Sequence, residues 1–180
     1  MYCMNYCVWF TGLSGAGKST LATALQQELS ACGMNAHVLD GDVLRTGLNN
    51  DLGFSPEDRA ENVRRVGEVA KLMTGAGVTV LVALISPYRA DRDQARKLFA
   101  PGQFIEVFVD APLLTCIKRD VKGLYAKAQR GEVPGMTAMT SPYEAPLNPD
   151  LHLHTDLVPL AQCLVQIKAL LPQSMQTPFA

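Results

Sequence analysis

The chain has almost no net charge. Its 180 residues hold 16 basic and 17 acidic side chains, leaving −1 at neutral pH. With no surplus of either sign, nothing draws the chain as a whole toward nucleic acid or an anionic membrane surface. Bilayer-length apolar runs are missing too, since the run Gly77 to Ile85 is far too short to span a membrane. Cysteine patterning is also absent. The five cysteines (Cys3, Cys7, Cys32, Cys116, Cys163) form no C-x-x-C pair and no metal-like spacing with the three histidines. Such an odd, scattered set reads as reduced thiols of a cytoplasmic protein. Met1 to Thr11 is apolar but lacks a basic start and runs straight into a glycine-rich loop, so it reads as a core strand, not a signal peptide. There is no internal repeat, and Gly and Pro are spread too evenly to mark a linker. The expectation is one compact domain over residues 1–180.

What is present is more telling. Gly12-Leu13-Ser14-Gly15-Ala16-Gly17-Lys18-Ser19 fits the phosphate-binding pattern G-x-x-x-x-G-K-[ST], and Thr20 follows it. The loop comes after the apolar run Cys7 to Thr11 and before a helix-periodic stretch with Leu21, Ala24, Leu25 and Leu29. The glycines let successive backbone N–H groups curl around a polyphosphate, and the helix N-terminus adds partial positive charge. Lys18 can reach the β- and γ-phosphates of a nucleoside triphosphate, and the Ser19 hydroxyl can ligate Mg²⁺. An ordinary Gly-rich turn is the bland alternative, but it does not require the strand, loop, Lys-Ser pair and helix to stand in register.

Strand-like runs are expected at 7–11, 36–39, 78–85, 104–109 and 151–155, with helical patterns at 18–32, 57–74, 90–98, 112–119 and 160–171. This alternation predicts an α/β, P-loop NTPase-type three-layer fold: a five-stranded parallel sheet with helices on both faces. Ser55-Pro56-Glu57-Asp58 is a helix start, with a capping hydroxyl, Pro in the first turn and acids beside the helix dipole. Residues 120–149 are polar, rich in Lys, Gly and Pro and without sheet periodicity, and so read as a lid.

Ligands of such sheets gather at the carboxyl ends of the strands. Asp40-Gly41-Asp42 ends the second strand, where Asp42 can act as the base for an attacking hydroxyl and Asp40 can hold the metal through water. An Asp-Gly turn with Asp42 as a helix cap is the structural alternative. Of Arg45, Arg59, Arg64 and Arg65, two are expected to touch ligand and the others to be structural; a solvated face partnered by Glu57, Asp58 and Glu61 is the bland alternative. Arg59 and Asn62 lie one helical turn apart and can face the same side. Phe54 reads either as a hydrophobic staple or as a stacking platform for a base. Ile85-Ser86 closes the third strand, with Ser86 placed for an anion or nucleoside. Asp110 ends a strand that imitates Walker B, but Asp110-Ala-Pro112 suggests a helix cap, and the cap is favoured. Arg119, Lys122, Lys127 and Arg130 are cations available to the lid. His152 and His154 have no metal-like partners in the sequence and read as surface or packing residues, and Cys116 and Cys163 read as core thiols.

The set of motifs resembles the adenylylsulfate kinase family. The resemblance rests on Gly12–Thr20, Asp40-Gly-Asp42, Leu52-Gly-Phe-Ser-Pro-Glu-Asp-Arg59 and Glu61-Asn-Val-Arg-Arg65. It continues through Ile85-Ser-Pro-Tyr-Arg89, Val109-Asp-Ala-Pro112, Lys122-Gly-Leu-Tyr125 and Ser141-Pro-Tyr-Glu-Ala-Pro146, and spans about Val8 to Asp156. It implies transfer of the γ-phosphoryl of ATP to the 3′-hydroxyl of adenylyl sulfate, with Mg²⁺ as cofactor. It places ATP on Gly12–Thr20, and adenylyl sulfate against Asp42, Arg45, Phe54, Arg59, Asn62, Ile85, Ser86 and Lys122. Phe54 would stack on the adenine and the arginines would meet the phosphosulfate. Ser86 matches the residue proposed in the family as a phosphoserine intermediate. An in-line transfer needs no covalent relay, so a ligand contact is the expected role. The resemblance also implies a homodimer and a functional coupling to sulfate adenylyltransferase.

Three departures stand out. Asp-Gly-Asp-Asn reads Asp40-Gly-Asp-Val43 here, and the lid's Gly-Phe-Thr reads Gly135-Met136-Thr137, which weakens stacking on the substrate base. The sequence also starts at its first strand, where many members carry an extension. Two further readings follow: a related kinase with another nucleotide-linked acceptor, and a nucleotide-binding regulatory subunit without turnover.

Overall fold

The computed structural model describes residues 5–132 and 135–172. Five parallel strands, β1 (Cys7–Thr11), β2 (Ala36–Asp40), β3 (Thr79–Ala83), β4 (Phe104–Asp110) and β5 (Leu151–His154), form one sheet in the order β2-β3-β1-β4-β5. β1 and β3 are buried throughout, as continuous apolar strands covered on both faces should be, while the edge strands β2 and β5 alternate. One face packs Val8, Phe10, Leu81, Val107 and Val109 against α1 (Lys18–Ala31) and α7 (Leu160–Ala169). The other packs Cys7, Trp9, Val80, Val82 and Phe104 against α3 (Pro56–Gly75) and α4 (Arg89–Arg96). α3 begins as its sequence predicts, with the Ser55 hydroxyl accepting from the Asp58 backbone N–H at 3.1 Å.

Three expectations and one alternative reading need correction. The third strand ends at Ala83, not at residue 85. Its neighbours turn away, β1 into the glycine loop and β2 into the short α2 (Gly41–Leu44), so Ile85 and Ser86 have no ladder to join. Ser86 instead takes a positive φ of 39°. At the D-G-D, Asp40 is the cap of α2, accepting from the Asp42 N–H at 2.9 Å, and Asp42 is left free of that task. The segment 120–149 is not without pattern. It contains α6 (Leu124–Gln129), and its second half is tied to the loop after β3 and to the start of α4: Glu144 N–H donates to Pro87 O at 2.8 Å, and Arg89 Nε to Ala145 O at 2.7 Å.

Asp110 does not cap a helix. α5 (Leu113–Arg119) starts from Pro112 with no side-chain cap, because Asp110, the last residue of β4, lies too far back. Its carboxylate turns to His152, so the two β5 histidines have an acidic partner that the sequence reading did not give them. The thiols of Cys7, Cys32, Cys116 and Cys163 are free and buried, as expected for core cysteines; Cys3 lies outside the described residues. Among the described residues, no helix is long and apolar enough to cross a membrane.

Candidate active site

The carboxyl ends of β1, β2 and β3 open into one cavity of ≈ 520 Å³. Its floor is the loop between β1 and α1. Gly12 (φ 150°), Gly15 (φ 77°) and Gly17 (φ 107°) adopt positive φ values, and a Cβ on Gly12 would lie 2.2 Å from Val109 O. Only glycine lets the loop turn this close to β4. Ser14 through Thr20 line the cavity, whereas Gly12 and Leu13 lie behind it. Their carbonyls accept from Lys18 Nζ at 2.9 and 2.6 Å. Burial, reinforced by the nearby charge of Lys122, lowers the Lys18 pKa to about 7.

Beside Lys18, Ser19 Oγ donates to Asp40 Oδ2 at 2.5 Å. A hydroxyl and a carboxylate in direct contact at the mouth of a phosphate loop are hard oxygen donors, the set that suits Mg²⁺ held partly through water. Asp42 also lines the cavity, and its carboxylate is ion-paired with Lys122. The strand-end placement of D-G-D thus brings both acids to the loop.

The far wall holds the residues expected to meet a second ligand. Arg59 is buried, donating from Nε to Phe54 O (3.1 Å) and from Nη2 to Gly135 O (2.7 Å). Arg45 donates to Leu52 O and Gly53 O and lies 4.3 Å above the Phe54 ring. Burial pulls both guanidinium groups below their usual pKa, and among the described residues neither forms an ion pair. A buried Arg59 and a half-buried Arg45, neither held in an ion pair, leave an unmet demand for an anion. Arg64 and Arg65 behave oppositely, bonding Glu61 and Asp51, and hold the Glu61 carboxyl down at about 2. Arg64 and Arg65 are thus structural, while Arg45 and Arg59 are the two that line the cavity.

Phe54 is 48% exposed beside the cavity, so it is not buried as a staple and its ring is accessible. Asn62 lines the same wall, its Oδ1 accepting from Asn49 Nδ2 at 3.0 Å. Ile85 and Ser86 line the cavity from the end of β3. Ser86 is fixed from behind: Trp9 Nε1 donates to its hydroxyl at 3.0 Å and Arg92 Nη1 to its carbonyl at 2.6 Å. Arg92 is in turn paired with buried Glu106 at 2.7 Å. Met136 and Thr137 close the cavity from the lid segment, and Thr137 Oγ1 is buried with no hydrogen-bond partner among the described residues. Val43 is 68% exposed and does not line the cavity.

Of the four lid cations, Lys122 and Arg119 reach the cavity and Lys127 and Arg130 do not; Arg130 bonds Glu132. Arg119 donates to Gly15 O (3.2 Å) and Thr155 O (2.8 Å), bracing the loop. Two further supports escaped the sequence reading: Thr155 Oγ1 donates to Ala16 O at 2.6 Å, and Tyr125 OH to Ser14 O at 2.9 Å. Thr155 follows the fifth strand, so the strand-end rule could have found it. Tyr125 carries no comparable signal.

Comparison with known proteins agrees with this geometry. The profile of the family described as adenylylsulphate kinase matches residues 4–154. A Halalkalibacterium halodurans protein named probable adenylyl-sulfate kinase is 56% identical over 164 residues, 91% of this chain and 81% of that one. The bifunctional enzyme NodQ of Rhizobium tropici is 53% identical over 169 residues, covering 94% of this chain but 27% of its own length. Among solved structures, the Mycobacterium tuberculosis APS kinase CysC in complex with AMPPNP and APS superposes with a TM-score of 0.89 at 48% identity, covering 94% of this chain and 98% of that one.

Proposed function

The chain belongs to the adenylylsulphate kinase family, and we propose from that premise how its cavity carries out the reaction. The reaction is the transfer of the γ-phosphoryl of ATP to the 3′-hydroxyl of adenylyl sulfate, giving ADP and 3′-phosphoadenylyl sulfate. The observation that carries this reading is one cavity holding a phosphate loop with Lys18 at one end and the unpaired Arg45 and Arg59 beside Phe54 at the other. Between them stand Asp40 and Asp42.

In this reading the backbone of Ser14 to Thr20 cradles the triphosphate, with Gly12 and Leu13 behind it anchoring Lys18, and Lys18 offsets charge on the transferring group. Ser19 and Asp40 would hold Mg²⁺, which would supply positive charge against the phosphates. Phe54 stacks on the acceptor's adenine, Arg45 and Arg59 bind its phosphosulfate, and Asn62, Ile85, Ser86, Met136 and Thr137 shape the pocket. Asp42 exchanges its Lys122 partner for the 3′-hydroxyl and accepts the proton as the oxygen attacks the γ-phosphorus. The bond from that phosphorus to the β,γ-bridging oxygen breaks, and the electron pair leaves with ADP. Lys122, released from Asp42, is then free to pair with the acceptor's anionic groups.

Ser86 serves as a ligand contact and not as a phosphorylated intermediate. Its hydroxyl is held by the Trp9 indole, and among the described residues no carboxylate or imidazole bonds it. Residues 120–149 act as the lid of a single domain. Phosphoryl transfer takes place in the cytoplasm in a homodimer, coupled to the sulfate adenylyltransferase that supplies adenylyl sulfate.

A coupled assay of ADP release tests the whole reading, with adenylyl sulfate, adenosine 5′-phosphate and a cytidine-diphosphate-linked acceptor compared side by side. Turnover on adenylyl sulfate alone is expected. ATP binding without turnover on it would transfer the proposal to another acceptor, with Met136 as the departure that touches the pocket.

A further inference from the structure

At the edge of the sheet, outside the residues that line the nucleotide cavity, three groups with metal-binding chemistry converge. The register Phe108↔His152 and Asp110↔His154 sets Asp110, His152 and His154 on one face of β4 and β5. Asp110 Oδ2 lies 2.9 Å from His152 Nε2 and 3.6 Å from His154 Nδ1. One ligand atom from each residue falls within 4.8 Å of the others. The imidazole centroids are 4.3 Å apart, and Phe108 stacks on His152 at 4.6 Å, restraining that ring. A lone His–Asp hydrogen bond needs one histidine. Two rings turned to the same carboxylate oxygen match ligands arranged around a shared centre.

We propose that Asp110, His152 and His154 form a binding site for a first-row transition dication, Zn²⁺ foremost. Ligands held about 2.0–2.1 Å from a tetrahedral zinc stand roughly 3.3 Å from one another. The observed 2.9 and 3.6 Å bracket that spacing, so small side-chain rotations suffice. Two imidazoles and a carboxylate favour zinc, cobalt, nickel or copper, while Mg²⁺ prefers all-oxygen sets, so the ion at Ser19 and Asp40 does not compete here. The side chains of Asp110, His152 and His154 are 34%, 42% and 50% exposed, which admits the ion from solvent and leaves water for the open position. Occupancy would clip the edge strand to β4. His154 precedes Thr155, whose backbone N–H bonds Asp110 O at 2.9 Å and whose hydroxyl bonds the phosphate loop, so the clip stiffens a support of that loop.

The test uses the full chain without nucleotide and does not depend on the kinase reading. Co²⁺ alone is titrated and followed by its visible ligand-field absorption, and Zn²⁺ is then added in competition. The expected result is one equivalent of Co²⁺ displaced by Zn²⁺, a raised unfolding temperature with Zn²⁺, and affinity weakened at least about tenfold in His154→Ala and in His152→Ala. The unloaded His154→Ala chain should unfold at the wild-type temperature because that side chain is half exposed; if it does not, His154→Asn replaces it. Absence of Co²⁺ and Zn²⁺ uptake at micromolar metal would overturn the proposal. Uptake unchanged in the histidine variants would overturn it equally, by assigning the ion to other groups.

Discussion

The pKa of Lys18 makes a quantitative claim about ATP binding. In the free protein this ammonium is buried, bonded only to carbonyls of its own loop and repelled by Lys122, which leaves it with a pKa of about 7 against an ordinary 10.5. A triphosphate beside it supplies the missing counter-charge and restores the protonated form, so ATP binding must take up a proton wherever the free protein has lost one. With a free-state pKa of 7, uptake should be about 0.1 proton at pH 6, 0.5 at pH 7 and 0.9 at pH 8. The apparent Kd should weaken roughly tenfold from pH 6 to pH 8, which is about 1.4 kcal/mol. Isothermal titration calorimetry in buffers of different ionisation enthalpy measures both quantities. Lys18→Met is the control that removes this uptake while retaining the phosphate's own titration. The same shift has a consequence for stability. Between about pH 7 and 10.5 the unfolded chain binds the proton that the folded chain lacks, so the free protein should gain stability as pH rises through that window. ATP should abolish that gain. Equal proton uptake by wild type and Lys18→Met would refute the reasoning.

Three further outcomes are expected. Asp42→Ala should lower turnover by about 10²–10⁴, the usual worth of a positioned base, while calorimetric ATP affinity stays within a few-fold; near-normal turnover would remove Asp42 from the chemistry. Arg59→Ala should weaken acceptor binding by about 1–3 kcal/mol and leave ATP binding alone. Arg64→Ala, whose partner is exposed Glu61, should change neither, and equal effects from the two arginines would contradict the assignment. Arg92→Ala removes the 2.7 Å partner of buried Glu106, leaving it Arg96 at 3.4 Å, and leaves the Ser86 carbonyl only the 3.4 Å bond from Thr11 Oγ1, so urea unfolding should report a loss approaching about 3–5 kcal/mol; a loss below about 1 kcal/mol would show that the pair is not structurally required.

The sequence determined most of the framework and the near end of the cavity. The phosphate loop is local: eight consecutive residues between a strand and a helix carry the glycines, the Lys and the Ser, so their placement follows from chain order alone. Apolar periodicity likewise located all five strands to within a few residues, because burial on both sides of a parallel sheet leaves a continuous apolar record. The arginines of α3 separated for a similar reason, since helical spacing turns Arg59 and Asn62 inward and leaves Arg64 and Arg65 to local acids. The short β3 was not legible, because where a strand ends depends on when its neighbours leave the ladder.

Only the tertiary structure decided which distant groups meet. Trp9 and Ser86 are 77 positions apart, and Arg119 and Thr155 are 36 apart, yet each pair bonds beside the cavity. The tertiary structure also put Val43 outside the cavity and Met136 in its wall, ranking two departures that look alike in sequence. Asp110 shows the limit most clearly. Its neighbours Ala-Pro argue for a helix cap, whereas its partners are set by the pairing of β4 with β5, 42 residues downstream. Spacing along a chain encodes helix faces and tight turns. Contacts across a sheet depend on strand order and register, which come from packing the whole core.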